Sequence, residues 1–159
     1  MGVGVLAAAL LASGTATTAP SGDSAPLVIE VGNVRNDHGV VRVSICPKER
    51  WLADSCPWEG HVPAHTGTTR IVIDHVPPGD YGAQVFHDEN DNDAVDRGIF
   101  GIPREGVGFS RDSFTGLSSP KWRNAVFAHS NQPQTIRLNL RYMLGPSSPQ
   151  AWHQRHPGG

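Results

Sequence analysis

The stretch LVIEVGNVRNDHGVVRVSI, residues 27–45, alternates apolar and polar side chains on either side of a turn-forming centre. Leu27, Ile29 and Val31 share one face of its first half, and Val41, Val43 and Ile45 share one face of its second. Alternation with period two is the pattern of a half-buried strand. The intervening Asn36-Asp37-His38-Gly39 predicts that the two strands close as a hairpin. The same period recurs in TTRIVIDHV (68–76) through Thr69, Ile71 and Ile73. After the turn Pro77-Pro78-Gly79-Asp80 it returns in YGAQVFH (81–87) through Tyr81, Ala83 and Val85. AVFAHS (125–130) and TIRLNLRY (135–142) complete the set. Six such segments, with no long window that keeps a helical stripe, predict an all-β, antiparallel β-sandwich of immunoglobulin-like type over residues 27–142. Val43, Ile45, Ile71, Ile73, Val85, Phe127, Leu138 and Leu140 are its expected core. The connection after the fourth predicted strand, Asp88 to Asn124, is too long for an ordinary loop and is the first place to look for function.

Composition narrows the role. The 159 residues carry 13 bases and 15 acids, a net charge of −2, so no basic footprint for nucleic acid is present. The 18 glycines and 13 prolines suit short strands joined by turns. Residues 1–19 read as an export signal: an apolar run from Val3 to Ala12 is followed by small residues, and it is shorter than the ~20 residues that span a bilayer. Residues 20–26 read as a linker. Residues 143–159, rich in Pro, Ser and Gly without periodicity, read as a disordered tail. In an exported chain Cys46 and Cys56 suggest a disulfide closing a small loop.

Five of the 15 acids fall between Asp88 and Asp96 with no base among them. Counted from Asp88, oxygen-bearing side chains occupy alternate positions at Asp88, Asn90 and Asn92, with the Ala94 carbonyl and Asp96 to follow. This is the oxygen spacing of a calcium loop, in which a tight turn folds alternate ligands onto one hard cation. Two departures make the expected site weak: Asp93 stands where the turn wants glycine, and Ile99 where a closing glutamate belongs. A plain acidic turn, whose Asn and Asp cap their own backbone, accounts for the same residues. A transition metal using His87 is a further alternative.

The run YGAQVFHDENDNDAVDRGIFGIPREGVGFSRDSF closely resembles a family of exported bacterial proteins catalogued as domain of unknown function 2141. The likeness rests on Phe86, His87, Asp88, Glu89, Asn90, Asn92 and Asp96, and on the phrase from Phe100 to Ser110. The upstream HVPPGDY is similar to the turn shared with transthyretin-like sandwiches. The resemblance implies a seven-stranded sandwich and an extracytoplasmic location, and it implies no particular reaction. Read physically, GIPREGVGFS is either a lid, with Phe100, Ile102 and Phe109 plugging the sandwich, or a groove. In the groove reading His87, Arg104, Glu105 and Arg111 would meet a ligand.

Signatures of catalysis are weak. The sequence holds no H-E-x-x-H, no nucleophile elbow and no phosphate-binding P-loop. Pro63 breaks the helix on which His61 and His65 would share a metal. The residues favour an exported, non-enzymatic module that binds an extracellular protein, peptide or glycan, with calcium as a weak stabiliser. A small hydrolase using His87, Asp88 and Glu105, and a purely structural envelope protein, are the alternatives.

Overall fold

The computed structural model describes Met1 and residues 24–158, apart from 115, 117 and 148. The expected export signal, but for Met1, lies outside these residues. Among the described residues eight strands form two sheets. They are β1 (Ala25–Val34), β2 (Val40–Cys46), β3 (Trp58–Pro63), β4 (Gly67–Val76), β5 (Gly79–Asp88), β6 (Gly106–Phe109), β7 (Phe127–His129) and β8 (Gln134–Asn139). Two short helices follow their own loops, α1 (Trp122–Ala125) and α2 (Pro149–Arg155). One sheet runs β4-β1-β8 and the other β3-β2-β5-β6, with β7 on the early part of β5.

The all-β sandwich expected from the alternation is therefore present, with two corrections. Strands β1 and β2 do not pair as a hairpin. Strand β1 pairs β4, with Ile29 opposite Ile71, while β2 pairs β5, with Val43 opposite Val85. The Asn36–Gly39 turn thus carries the chain from one sheet to the other. Period two fixes which face of a strand is apolar but not which strand lies beside it. The second correction is that β8 joins β1 in parallel, Ile29 beside Ile136, so the sandwich is not wholly antiparallel.

The inward faces close on one core. Leu27, Ile29, Val41, Ile45, Ala83 and Leu140 are fully buried, and each aliphatic side chain of this kind stabilises by roughly 1.5–3 kcal/mol. All eight expected core residues belong to this cluster or, in the case of Phe127, pack against it. Strands β3 and β6 escaped notice because WEGHVP and GVGF are short and interrupted by Gly and Pro. Cys46 and Cys56 form the disulfide, with Cα atoms 5.1 Å apart. By the chain-entropy argument so small a loop contributes about 2–3 kcal/mol. The loop it closes holds Trp51 over Gly82, where a β-carbon would strike the indole. Trp51 meets Phe109 and Trp122 edge-on and donates from Nε1 to the Pro120 carbonyl, 2.9 Å.

Strand β1 begins at Ala25, inside the proposed linker. The C-terminal segment read as disordered contains α2, because Trp152 finds a partner far away in sequence: its ring lies 5.3 Å from the Arg35 guanidinium and edge-on to His38.

Candidate functional site

The long connection after β5 starts in an internal ionic network. Val85 and His87 continue the inward face of β5, so the His87 ring is fully buried. Its Nε2 lies 2.8 Å from the His38 carbonyl, which can only accept. Nε2 therefore carries the proton, and Nδ1 accepts from the Tyr142 hydroxyl, also at 2.8 Å. The Tyr142 oxygen in turn accepts from the Arg35 backbone N–H, 3.1 Å. Every polar atom of the ring is engaged.

Arg35 is the hub of this end of the sandwich. Its guanidinium pairs with both oxygens of Glu89 and donates to the carbonyls of Leu144, Pro146 and Arg104. It also lies 4.3 Å over the Tyr142 ring. Asn36 donates to the same Glu89 carboxylate, 2.6 Å. Glu105, from the far arm of the connection, reaches back and accepts the backbone N–H groups of Glu89 and Asp96, at 2.8 and 2.9 Å. One buried cation and two carboxylates thereby tie together β1, β5, the return to β6 and the C-terminal segment.

The acidic turn is organised by a second arginine. Arg42 stands diagonally across from Asp88 on the paired strands β2 and β5, since Val40 is the direct partner of Asp88 and Phe86 that of Arg42. Its Nε donates to Asp88, 2.8 Å, and its Nη2 meets Asp91 at 2.8 Å and also Asp93. The buried Asp88 accepts two further bonds, from the backbone N–H groups of Asn92 and Asp93. Asp88, Asp91 and Asp93 each offer an oxygen within 4.8 Å of one another, a group that could hold a metal ion. The guanidinium of Arg42 sits among those same carboxylates.

This arrangement differs from the alternate-position ligand set. Of its two carboxylates, Asp88 and Asp96, the first alone belongs to the converging group. Asn90 and Asn92 turn their amide nitrogens to Asp96, at 2.8 and 3.0 Å. The Asn92 side-chain oxygen accepts from the Ala94 N–H, 3.0 Å, the self-capping that the plain-turn alternative expects. Asp93 does adopt the left-handed backbone of the glycine position it occupies, with φ 64°, as does Asp91 at 55°.

Burial and charge pull these groups in opposite directions. Burial lowers the pKa of His87, outweighing its bond to the His38 carbonyl and the pull of Glu89, so the ring stays neutral. For Glu89 burial alone would raise the pKa; Arg35 and Asn36 reverse this and hold the carboxyl below its usual range. Asp88 is likewise lifted by burial and more than restored by Arg42 and two backbone N–H groups. Among the described residues no cation pairs with Glu105. Burial, with help from nearby Asp96 and Asp88, pushes its pKa up despite the two N–H bonds.

Beyond Asp96 the chain leaves the body of the protein. Arg97 bridges to Pro103 across a short excursion whose end is Ile99-Phe100-Gly101. Phe100 is 96% exposed, so it does not plug the sandwich as a lid would. Its φ of 64° is rare for a bulky residue. Phe109 stays half-buried against Trp51 and Phe114. A groove of about 230 Å³ runs beside this arm, lined by Phe100, Ile102, Val107, Phe109, Phe114 and Met143. A more polar one of about 510 Å³ adjoins it across Phe114 and Met143.

The residues expected to meet a ligand together are not gathered here. His87 and Glu105 are buried in the network, Arg104 is exposed beside Gly98, and Arg111 donates to the Val126 carbonyl. None of the four lines either groove. Sequence reasoning missed Arg35, Arg42 and Tyr142, and it counted Asp91 and Asp93 in the acidic turn without making them ligands. Only strand register or long-range packing could have found them; Arg35 carries one faint signal, as the first base of the chain.

Fold and site together define a disulfide-bonded, eight-stranded β-sandwich domain whose long loop is rooted in a buried ionic network. Over residues 29–137, more than half of the chain, it matches the family described as an uncharacterized protein conserved in bacteria (DUF2141) and belongs to it, as the FHDEN and FGIPREGVGFS phrases implied. No curated protein and no solved structure matches the chain.

Proposed function

We propose that this chain is an exported, non-enzymatic β-sandwich module that holds an extracellular protein, peptide or glycan. Its binding face is the groove between Phe109, Phe114 and Met143. The observation that carries this reading is the commitment of its reactive groups. His87 spends both ring nitrogens on Tyr142 and His38, and Glu105 spends its carboxylate on two backbone N–H groups. A general base needs a lone pair within reach of substrate, and a fully buried, fully bonded imidazole offers none. The hydrolase alternative loses its acid–base set on the same ground.

The test is retention of the full chain on arrays of cell-envelope proteins, peptides and glycans. Retention that falls in Phe114→Ser or Met143→Ser and survives in His87→Gln is expected. Hydrolytic turnover abolished in His87→Gln at an unchanged melting midpoint would overturn the reading. Export is tested by fusing residues 1–26 to a reporter active only outside the cytoplasm; an inactive fusion removes that part.

Calcium enters this reading as a weak stabiliser. A divalent ion at Asp88, Asp91 and Asp93 would compete with Arg42, which places its affinity in the ~0.1–1 mM range of extracellular modules. At ten times its dissociation constant it would add about 1.4 kcal/mol. Identical melting midpoints in millimolar calcium and in chelator would exclude it.

A further inference from the structure

Strand β4 ends the three-stranded sheet, and among the described residues it pairs with β1 alone. It is ten residues long and runs in regular register with β1 from Thr68 to Ile73. Beyond Ile73 the register shifts, and His75 is left-handed with φ 58°. Strand β3 lies beneath this stretch in the other layer, where a β-carbon on Gly60 would strike the inward side chain of Ile73. It covers the inner face of β4 and leaves the edge open. Such an edge offers its backbone N–H and C=O groups to any strand that can lie beside it.

The outward residues of β4 say what fits there. Thr68, Arg70, Val72 and Asp74 are exposed, in alternation with the buried Thr69, Ile71 and Ile73. Val72, 42% exposed, is the one large exposed apolar side chain of this sheet among the described residues. Arg70 and Asp74 are the only Arg, Lys, Asp or Glu of the strand, and among the described residues neither forms an ion pair. Arg70 stands opposite Glu30 of β1, whose carboxylate is taken by Arg137 of β8. The one carboxylate of β3, Glu59, accepts from the Ser44 hydroxyl and the Cys56 N–H.

Laid antiparallel on itself, β4 is complementary in one register. Outward residues must stay opposite outward residues, because a slip by one residue turns each face over. A two-fold axis at Arg70 or Asp74 would set like charges opposite each other, which is destabilising. An axis at Ile71 or Ile73 would set Val72 against Arg70 or Asp74. The axis at Val72 sets Val72 against itself and, by symmetry, Arg70 against Asp74 twice. Charges then alternate along one row of four strands: Arg137, Glu30, Arg70 and Asp74 of the second copy.

We infer that two copies of this chain join through their β4 edges about a two-fold axis at Val72, so that two three-stranded sheets become one of six. The usable edge, Thr68 to Asp74, is short, and a stable interface takes on the order of 1,000 Å², so the dimer is weak and reversible. The inference goes beyond the groove-binding reading, since no residue of β4 lines the groove.

Disulfide trapping tests the axis. Cys46 and Cys56, the two cysteines of the chain, are bonded to each other, so an introduced thiol has no other free partner within its own chain. In Val72→Cys the two thiols face each other across the axis, and mild oxidation of the full chain should give a covalent dimer. In Arg70→Cys they lie four residues apart along the strands, about 14 Å, beyond the reach of a disulfide, and that variant should stay monomeric. Sedimentation equilibrium from micromolar to millimolar concentration reads the dimer without a cross-link. Arg70→Asp and Asp74→Arg each set like charges opposite each other twice, and each should weaken self-association at least ~10-fold. Mixed in equal amounts, the two variants should associate about as well as the parent chain, because every opposed pair is again of unlike charge. All these positions are exposed, so melting midpoints close to the parent's certify the fold. A parent chain that stays monomeric at millimolar concentration, equal trapping in both cysteine variants, or no recovery on mixing would overturn the inference.

Discussion

At the root of the connection after β5, buried charges face one another. Glu89 meets Arg35, Asp88 meets Arg42, and Glu105 bonds the backbone of both arms. At its tip the order is inverted: Ile99 and Phe100 stand in solvent, and the charged Arg97 and Arg104 flank them. Most proteins place apolar groups inside and charges outside, so each half of this segment departs from the rule in its own direction. The two departures have different causes. A buried carboxylate persists only when cations and N–H groups compensate its lost hydration, and the root supplies both. The exposed apolar tip gains nothing from burial, and its backbone is held instead by the Arg97–Pro103 bridge at its base. The root ties the loop to the sandwich through Arg35, Glu89 and Glu105, and the tip stands beyond these contacts.

The comparison can be broken most forcefully at Arg35. Arg35→Met would leave Glu89 buried beside no cation, and removal of one partner of such a pair costs about 3–5 kcal/mol. The melting midpoint should fall by roughly 10–25 °C. A small shift would mean that water reaches the root and that it is not the anchor of the loop.

Arg42→Gln should cost less, about 1.5–2 kcal/mol, because Asp88 keeps its two backbone N–H partners. The same change removes the cation that competes for Asp88, Asp91 and Asp93. Millimolar calcium should therefore restore more stability to this variant than to the parent chain, measured as the difference in midpoint with and without chelator. Equal responses would show that the guanidinium and the ion do not share the site.

The pH dependence sharpens the root further. The folded His87 takes up its proton only below the usual histidine range, so its contribution is complete above about pH 6.5 and is lost as pH falls toward the folded value. Asp88 and Glu89, also lowered, lose theirs in the acid range below the ordinary carboxylate values. Glu105 has the opposite sign: raised in the fold, it contributes most below its ordinary value and loses this as pH rises through the folded one. The midpoint of the parent chain should drop as pH falls below the ordinary histidine value of about 6.5, where His87 dominates. His87→Gln should flatten that limb, and an unchanged slope would assign it to another histidine.

The smallest effect is expected at the tip. Phe100→Gly removes a ring that touches little and relaxes a left-handed backbone, so stability should move by no more than ~1 kcal/mol in either direction. A large loss would place Phe100 in the structural role that its exposure denies.

Reading the residues in order made the strands legible because period two is a local signal, visible in any stretch such as Leu27–Val31 or Ile71–Ile73. The core followed from it, as did the disulfide of Cys46 and Cys56, whose spacing is also local. The acidic turn was legible as a cluster of oxygens, but its partner was not. Whether Asp88 faces a metal or Arg42 depends on the register of β2 against β5, and alternation is blind to register between strands of unknown pairing.

By itself, then, the amino-acid sequence determined which side chains are buried along each strand, that the chain folds as a sandwich, and to which family it belongs. Tertiary structure alone decided that β1 and β2 lie in different sheets, that β8 runs parallel to β1, and that Trp152 draws the C-terminal segment onto Arg35. It also decided that His87 is a sealed element of the root and Phe100 an exposed one. The physical reason is common to all of these. Burial along a strand is set by neighbours two residues away, whereas ion pairing, sheet assignment and exposure of a loop tip are set by residues that meet only after the chain has closed on itself.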